Sequence, residues 1–135
     1  MSFRGQHYRS GKVIDVHTKG GVITRVGPAG SARPEYGDES VILSPGMTDI
    51  QVNGFGGKDF LSPDLSVEDV GFTSREILKT GVTRYCPTLI SNAREAMVHQ
   101  AATIAKACES DALVSQMIQG LHVEGPFLSP EDGPR

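Results

Sequence analysis

The chain has no run of Lys and Arg, no Cys-x-x-C, and no apolar segment near the ~20 residues that a membrane helix needs. Each absence excludes a class of function. Tracking a phosphate backbone takes a clustered basic face, so a chain of formal charge −3 without basic runs does not read as a nucleic-acid binder. Without a long apolar run it does not read as a membrane protein, and its first residues, MSFRGQHYRSGK, lack the apolar centre of a secretory signal. A cytoplasmic protein with a small-molecule partner is the expectation. Cys86 and Cys108 lie far apart in apolar surroundings, which predicts buried, reduced thiols rather than a disulfide or a metal pair.

What is present is the composition of a soluble globular protein: 135 residues, 38% hydrophobic and 21% charged, enough for one domain with a buried core. Residues 1–45 read as a small β region. The stretches FRGQHYR, KVIDVHT, GVITRV and SVILS are separated by Ser-Gly, Lys-Gly-Gly and the turn-rich GPAGSARPEYGDE. Alternation in GVITRV puts Val22, Thr24 and Val26 on one face, predicting a strand with one buried side.

From residue 46 the pattern becomes apolar run, Gly-rich loop, amphipathic helix, with strands expected to begin near Met47, Val82 and Met117. That repeat of roughly 35 residues is close to the roughly 31 of a (β/α)8 barrel. The first helix opens on Ser66 and Asp69 at capping-box spacing, turns Val67, Val70, Ile77 and Leu78 inward, and closes at Gly81 as C′. The second starts from Asn92 and Glu95 and carries Met97, Ala101, Ile104, Ala105 and Cys108 as its apolar stripe. Strands alternating with such helices imply parallel pairing with right-handed crossovers. Three parallel strands and two helices cannot close a barrel, so the chain reads as the front third of a larger enzyme, stopping in the polar stretch LSPEDGPR.

Functional side chains in parallel α/β folds gather where strands end. Gln51 and Asn53 share a face at the end of MTDIQVNG, and His122 and Glu124 do so at the end of GLHVEG. Gly54, Gly56 and Gly57 allow a sharp turn beside the first pair. Plain roles remain open for each: amides that cap a strand end, a solvated glutamate, a core histidine. Tyr85 and Thr88 are weaker candidates, and Pro87 is expected to end the pairing of its strand. His122-x-Glu124 is half of a zinc-deaminase signature, but the downstream P-C-x-x-C is absent.

Taken together and in order, PGMTDIQVNG, GVTRYCPTLIS and GLHVEGPF resemble the N-acetylglucosamine-6-phosphate deacetylases of the amidohydrolase superfamily, with similarity over residues 10–135. The resemblance implies an α/β chain: residues 1–45 forming part of a small β-sandwich domain, and residues 46–135 the first βα units of a metal-dependent (β/α)8 barrel, incomplete here. It implies hydrolysis of the N-acetyl group of N-acetylglucosamine 6-phosphate to glucosamine 6-phosphate and acetate.

The superfamily's His-x-His stands as Gln51-x-Asn53, as in some members of this family. Neutral amides bind Zn or Fe poorly, which points to one divalent metal per site rather than two. By resemblance Glu124 is a metal ligand, Gln51, Asn53 and Gly125 line the active site, and His122 packs or supports the ligands. The catalytic Asp and two His ligands are expected beyond Arg135, and a homodimer is expected of the whole enzyme. Two alternatives remain. One is a non-catalytic module that binds a partner through its exposed sheet. The other is a different amidohydrolase, such as a dihydroorotase or dipeptidase, for which His-x-His would be expected at positions 51 and 53.

Overall fold

A computed structural model describes residues 1–125. The stretch LSPEDGPR and the end of the expected third strand, Pro126 and Phe127, lie outside the described residues. The chain divides into two compact units, the first Met1–Pro45 and the second beginning at Gly46.

In the first unit, β1 (Ser2–His7), β2 (Val13–Lys19), β3 (Val22–Pro28) and β4 (Tyr36–Leu43) form one sheet in the order β3-β2-β1-β4. The β1–β2 and β2–β3 pairs are antiparallel and β1–β4 is parallel. Gly20 and Gly21, at φ 59° and 78°, close the β2–β3 hairpin, because a two-residue turn of this hand needs positive φ at both positions. Arg4 grips Asp15 with two bonds, Nε to Oδ1 at 2.7 Å and Nη2 to Oδ2 at 2.9 Å, while the Gly30 N–H donates to Oδ2 at 2.9 Å. That guanidinium and the backbone donor hold the Asp15 carboxyl far below the usual carboxylate range.

Two expectations for this unit are corrected. The alternation in β3 marks no buried side: Val22, Ile23 and Val26 are 66%, 62% and 57% exposed. β3 is an edge strand bonded to β2 alone, and no described layer of its unit covers it. β4 also starts at Tyr36, inside the stretch read as turn, where Tyr36 stacks on Phe3 of the paired strand at 5.2 Å between ring centres.

The second unit is built on β5 (Met47–Val52), β8 (Val82–Ile90) and β9 (His122–Glu124), parallel throughout and ordered β5-β8-β9. After β5 a small hairpin, β6 (Gly54–Phe55) and β7 (Lys58–Asp59), turns on Gly56 and Gly57, both at positive φ. Helix α1 (Val67–Leu78) begins with a complete capping box: Ser66 Oγ accepts from the Asp69 N–H at 3.1 Å, and Asp69 Oδ2 accepts from the Ser66 N–H at 3.2 Å. α2 (Arg94–Ser110) and α3 (Ala112–Met117) follow β8. Phe60, Val70, Ile77, Tyr85, Leu89 and Ile104 meet in the core. No described helix is long and apolar enough to cross a membrane.

Several local expectations change here as well. Lys79 caps α1 in an ordinary helical conformation, and Gly81, at φ 90°, lies two residues later rather than at C′. Asn92 does not cap α2. Its Oδ1 accepts from the adjacent Ala93 N–H, too early to serve the second or third helical donor, and Ala93 is the N-cap residue. Ala105 is exposed, one step past the stripe, and Gln100 and Ala107 are buried instead. Parallel contact with β8 does begin near Met117, in an isolated bridge of Ile118 to Tyr85, but the continuous strand β9 starts only at His122, and Met117 itself ends α3, which Asp111 starts by accepting from the N–H groups of Leu113 and Val114. β8 also runs past Pro87. Pairing with β5 ends at Val52 opposite Pro87, and pairing with β9 begins at the next residue, Thr88 opposite His122. Both cysteines are free and half-buried rather than fully enclosed.

Candidate functional site

The two faces of the three-stranded sheet differ. Tyr85 turns toward α1, where its hydroxyl meets Ser74 Oγ at 2.8 Å, and Leu89 lines a groove with Val123 and the α2 residues Met97 and Ala101. Thr88 is three residues from Tyr85, so it faces the opposite side, and its pair partner His122 points the same way. Glu124, two residues beyond His122, joins them. The face opposite Tyr85 and Leu89 therefore carries Thr88, His122 and Glu124.

β5 reaches this face through an irregularity. From Asp49 to Val52 it advances three residues while β8 advances two, from Tyr85 to Pro87, so Ile50 and Gln51 bulge out of the ladder. The bulge brings two groups across β8 to β9. Gln51 Nε2 donates to Glu124 Oε2 at 3.2 Å, and the Ile50 carbonyl accepts from His122 Nδ1 at 2.9 Å. Three of the candidate residues, Gln51, His122 and Glu124, are thus brought together over the central strand. Asn53 is not joined to them: its side chain makes no hydrogen bond among the described residues, and its carbonyl accepts from the Phe60 N–H at 2.9 Å. Gly125 follows Glu124 with φ 99°, a conformation open to glycine. The Ser91 hydroxyl donates to the Glu124 carbonyl at 3.3 Å from the end of β8.

The weaker candidates separate. Tyr85 is a core residue, its phenol pushed up to about 12 by burial. Thr88 is fully buried on the site face, and its hydroxyl has no partner among the described residues. Chain spacing alone does not reveal the Ile50 carbonyl as an acceptor, because a backbone group leaves no mark in the residue pattern.

As a metal centre the arrangement is partial. Glu124 offers one anionic, half-buried carboxylate at a strand end, oriented by an amide donor, which suits one corner of a divalent site. No cluster of three or more His, Cys, Asp or Glu occurs among the described residues, and Gln51 and Asn53 contribute neutral amides, which are poor ligands for Zn or Fe.

No protein-family profile matches the chain. Among curated relatives it is similar to the N-acetylglucosamine-6-phosphate deacetylase of Homo sapiens, 39% identical over 94 residues that make up 67% of this chain and 22% of that protein. The Bacillus subtilis enzyme of the same name is 34% identical over 94 residues, again 67% of this chain and 23% of the relative. The chain thus spans about 22% of the length of the curated relatives it matches. Among solved structures, the deacetylase of that name from Pasteurella multocida superposes with a TM-score of 0.73 at 27% identity, over 97% of this chain and 36% of that one. The Mycobacterium smegmatis N-acetyl-D-glucosamine-6-phosphate deacetylase, at 20% identity, shares the fold with a TM-score of 0.78 over 98% of this chain and 38% of that one.

Proposed function

Since the chain belongs to the N-acetylglucosamine-6-phosphate deacetylase family over the stretch it shares with those relatives, we propose that it is the N-terminal part of a cytoplasmic enzyme hydrolysing the N-acetyl group of N-acetylglucosamine 6-phosphate to glucosamine 6-phosphate and acetate. Residues 1–45 contribute to a small β-sandwich domain, and β5, β8 and β9 are the first strands of a (β/α)8 barrel in this reading. The whole enzyme is a homodimer whose partner molecule is an amino-sugar phosphate.

The observation that carries the proposal is the Gln51–Glu124 pair, an amide holding a carboxylate at the C-terminal ends of parallel strands. Functional groups of parallel barrels collect at that end. Glu124 would be one protein ligand of a single Zn or Fe ion, and the chemistry supplied there would be polarisation of an amide carbonyl and acidification of water toward a pKa of about 7. Gln51 orients the Glu124 carboxylate, and a hydrogen-bonding partner of this kind keeps a ligand's geometry. Asn53 and Gly125 line the sugar site. Two further ligands, and a carboxylate that moves a proton to the leaving amine, are required from other residues of the whole enzyme.

Glu124→Gln in the full-length protein tests this. A neutral amide in place of the anion is expected to empty the metal site, read by elemental analysis, while circular dichroism shows an unchanged fold. Full metal occupancy in the variant would remove Glu124 from the ligand set.

A further inference from the structure

We infer that His122 is a positioning residue for the candidate site: its Nδ1–H clips the bulged end of β5 to β9 and thereby sets where Gln51 meets Glu124. The consequence for the metal rests on the proposed ligand role of Glu124; the clip itself does not.

Strand order makes the clip necessary. β8 lies between β5 and β9, so no ladder of backbone bonds connects the two outer strands. Among the described residues the hydrogen bonds linking them are His122 to the Ile50 carbonyl and Gln51 to Glu124. Each bond joins a bulge residue to β9, one at its first residue and one at its last. The extra residue of a bulge leaves backbone groups outside the ladder, free to turn or to bond elsewhere. Here the Ile50 carbonyl is held at 2.9 Å by the imidazole, one residue before Gln51, and the imidazole stands two residues before Glu124. Fixing the first contact fixes the frame of the second. The Gln51–Glu124 bond, at 3.2 Å, is at the long end of the normal range, so a small drift of β5 would break it.

The chemistry also fixes the tautomer. A carbonyl can only accept, so Nδ1 carries the proton and Nε2 of the neutral ring is bare. That separates a clip from a filler. Asparagine attaches its amide nitrogen to Cγ, as histidine attaches Nδ1, and can donate from the same place. Glutamine moves the nitrogen one bond outward, and alanine removes it.

The test begins with the unaltered 135-residue chain, labelled with 15N-histidine and held at about pH 8, above the ordinary imidazole range. Long-range nitrogen–proton correlation spectra should show His122 as the Nδ1–H tautomer, and the Nε2–H tautomer would overturn the inference without any variant. Next, the side-chain amide resonances of Gln51 are followed in three variants. His122→Asn should keep them at their wild-type positions, and His122→Ala and His122→Gln should lose that pattern. A side chain that merely fills space would rank Gln above Asn, and that order would also overturn the inference.

In the full-length protein, His122→Ala should weaken metal retention by about tenfold or more, the scale seen when support for a metal ligand is removed, and His122→Asn should restore it. Retention indifferent to both Glu124→Gln and His122→Ala, with the tautomer and amide results as expected, would sink the ligand reading and leave the clip standing. Metal lost in Glu124→Gln, with neither metal nor Gln51 resonances altered in His122→Ala, would sink the clip and leave the ligand.

Discussion

The hydrogen bond between Tyr85 and Ser74 yields a prediction whose asymmetry follows from counting protons. Ser74 Oγ lies 2.8 Å from the Val70 carbonyl and 2.8 Å from Tyr85 Oη. A hydroxyl has one proton. If Ser74 donates it to the carbonyl, Tyr85 must be the donor to Ser74. Tyr85→Phe then removes a donor and leaves Ser74 still donating, at a cost of about 1 kcal/mol. Ser74→Ala leaves the phenol proton of Tyr85 buried without an acceptor, at about 2 kcal/mol, although it too removes a single oxygen and alanine favours a helix slightly. The double variant leaves neither group stranded and should cost about 1 kcal/mol, giving a coupling of about 2 kcal/mol.

Urea unfolding followed by far-UV circular dichroism reads the effect, since all described helices belong to the second unit. With a slope on the order of 1.5 kcal/mol per M, the Ser74→Ala midpoint should fall roughly 0.7 M below that of Tyr85→Phe. A pH series adds a check of sign. Burial raises the Tyr85 phenol to about 12, and in the unfolded chain it titrates near 10. Between these values the folded state holds a proton that the unfolded state has released, so stability is intact below pH ~10 and declines toward pH ~12. The loss is about 2–3 kcal/mol in wild type and absent in Tyr85→Phe, so the difference between the two isolates it. Equal costs for the two single variants, strict additivity, or a parallel alkaline decline in Tyr85→Phe would each refute the reasoning.

Ser66→Ala removes the hydroxyl half of the α1 capping box and should destabilise the second unit by about 1 kcal/mol in the same urea assay. Asp15 has its carboxyl held far below the usual range by Arg4 and the Gly30 N–H, so its contribution to the first unit is complete above pH ~4 and is lost as pH falls further. Asp15→Asn should flatten that acid-side loss, measured from the dispersion of β-sheet amide resonances. The chain by itself, supplied with Zn or Fe, should form no glucosamine 6-phosphate above background, because Glu124 is a single ligand where a catalytic zinc site normally takes three; metal-dependent turnover would show that another copy supplies the remainder.

Much of the local structure was legible because its signals are short-range. Gly20-Gly21 and Gly56-Gly57 sit in their turns with positive φ, and Ser66 with Asp69 forms the capping box. What failed depended on neighbours. Periodicity in β3 describes alternation but not whether anything lies over either face, and the strand is exposed. α3 leaves little mark in the pattern because six residues make fewer than two turns, though Asp111 ahead of ALVSQM is a usable cap signal. At the site, the matched spacing of Gln51-x-Asn53 and His122-x-Glu124 placed all four residues at strand ends. That Gln51 reaches Glu124 and Asn53 does not depends on the register of β5 against β8, which no single segment encodes.

The acceptor in the His122 contact is a main-chain atom, and this shapes how mutation can reach it. Every residue placed at position 50 brings the same carbonyl, so a substitution scan across β5 will score Ile50, whose side chain is 68% exposed, as tolerant. Loss of the codon is another matter. Deleting one residue between Asp49 and Val52 would remove the bulge and withdraw the carbonyl from His122. Substitution at position 50 should therefore leave the contact intact, while a change in the length of this segment should abolish it.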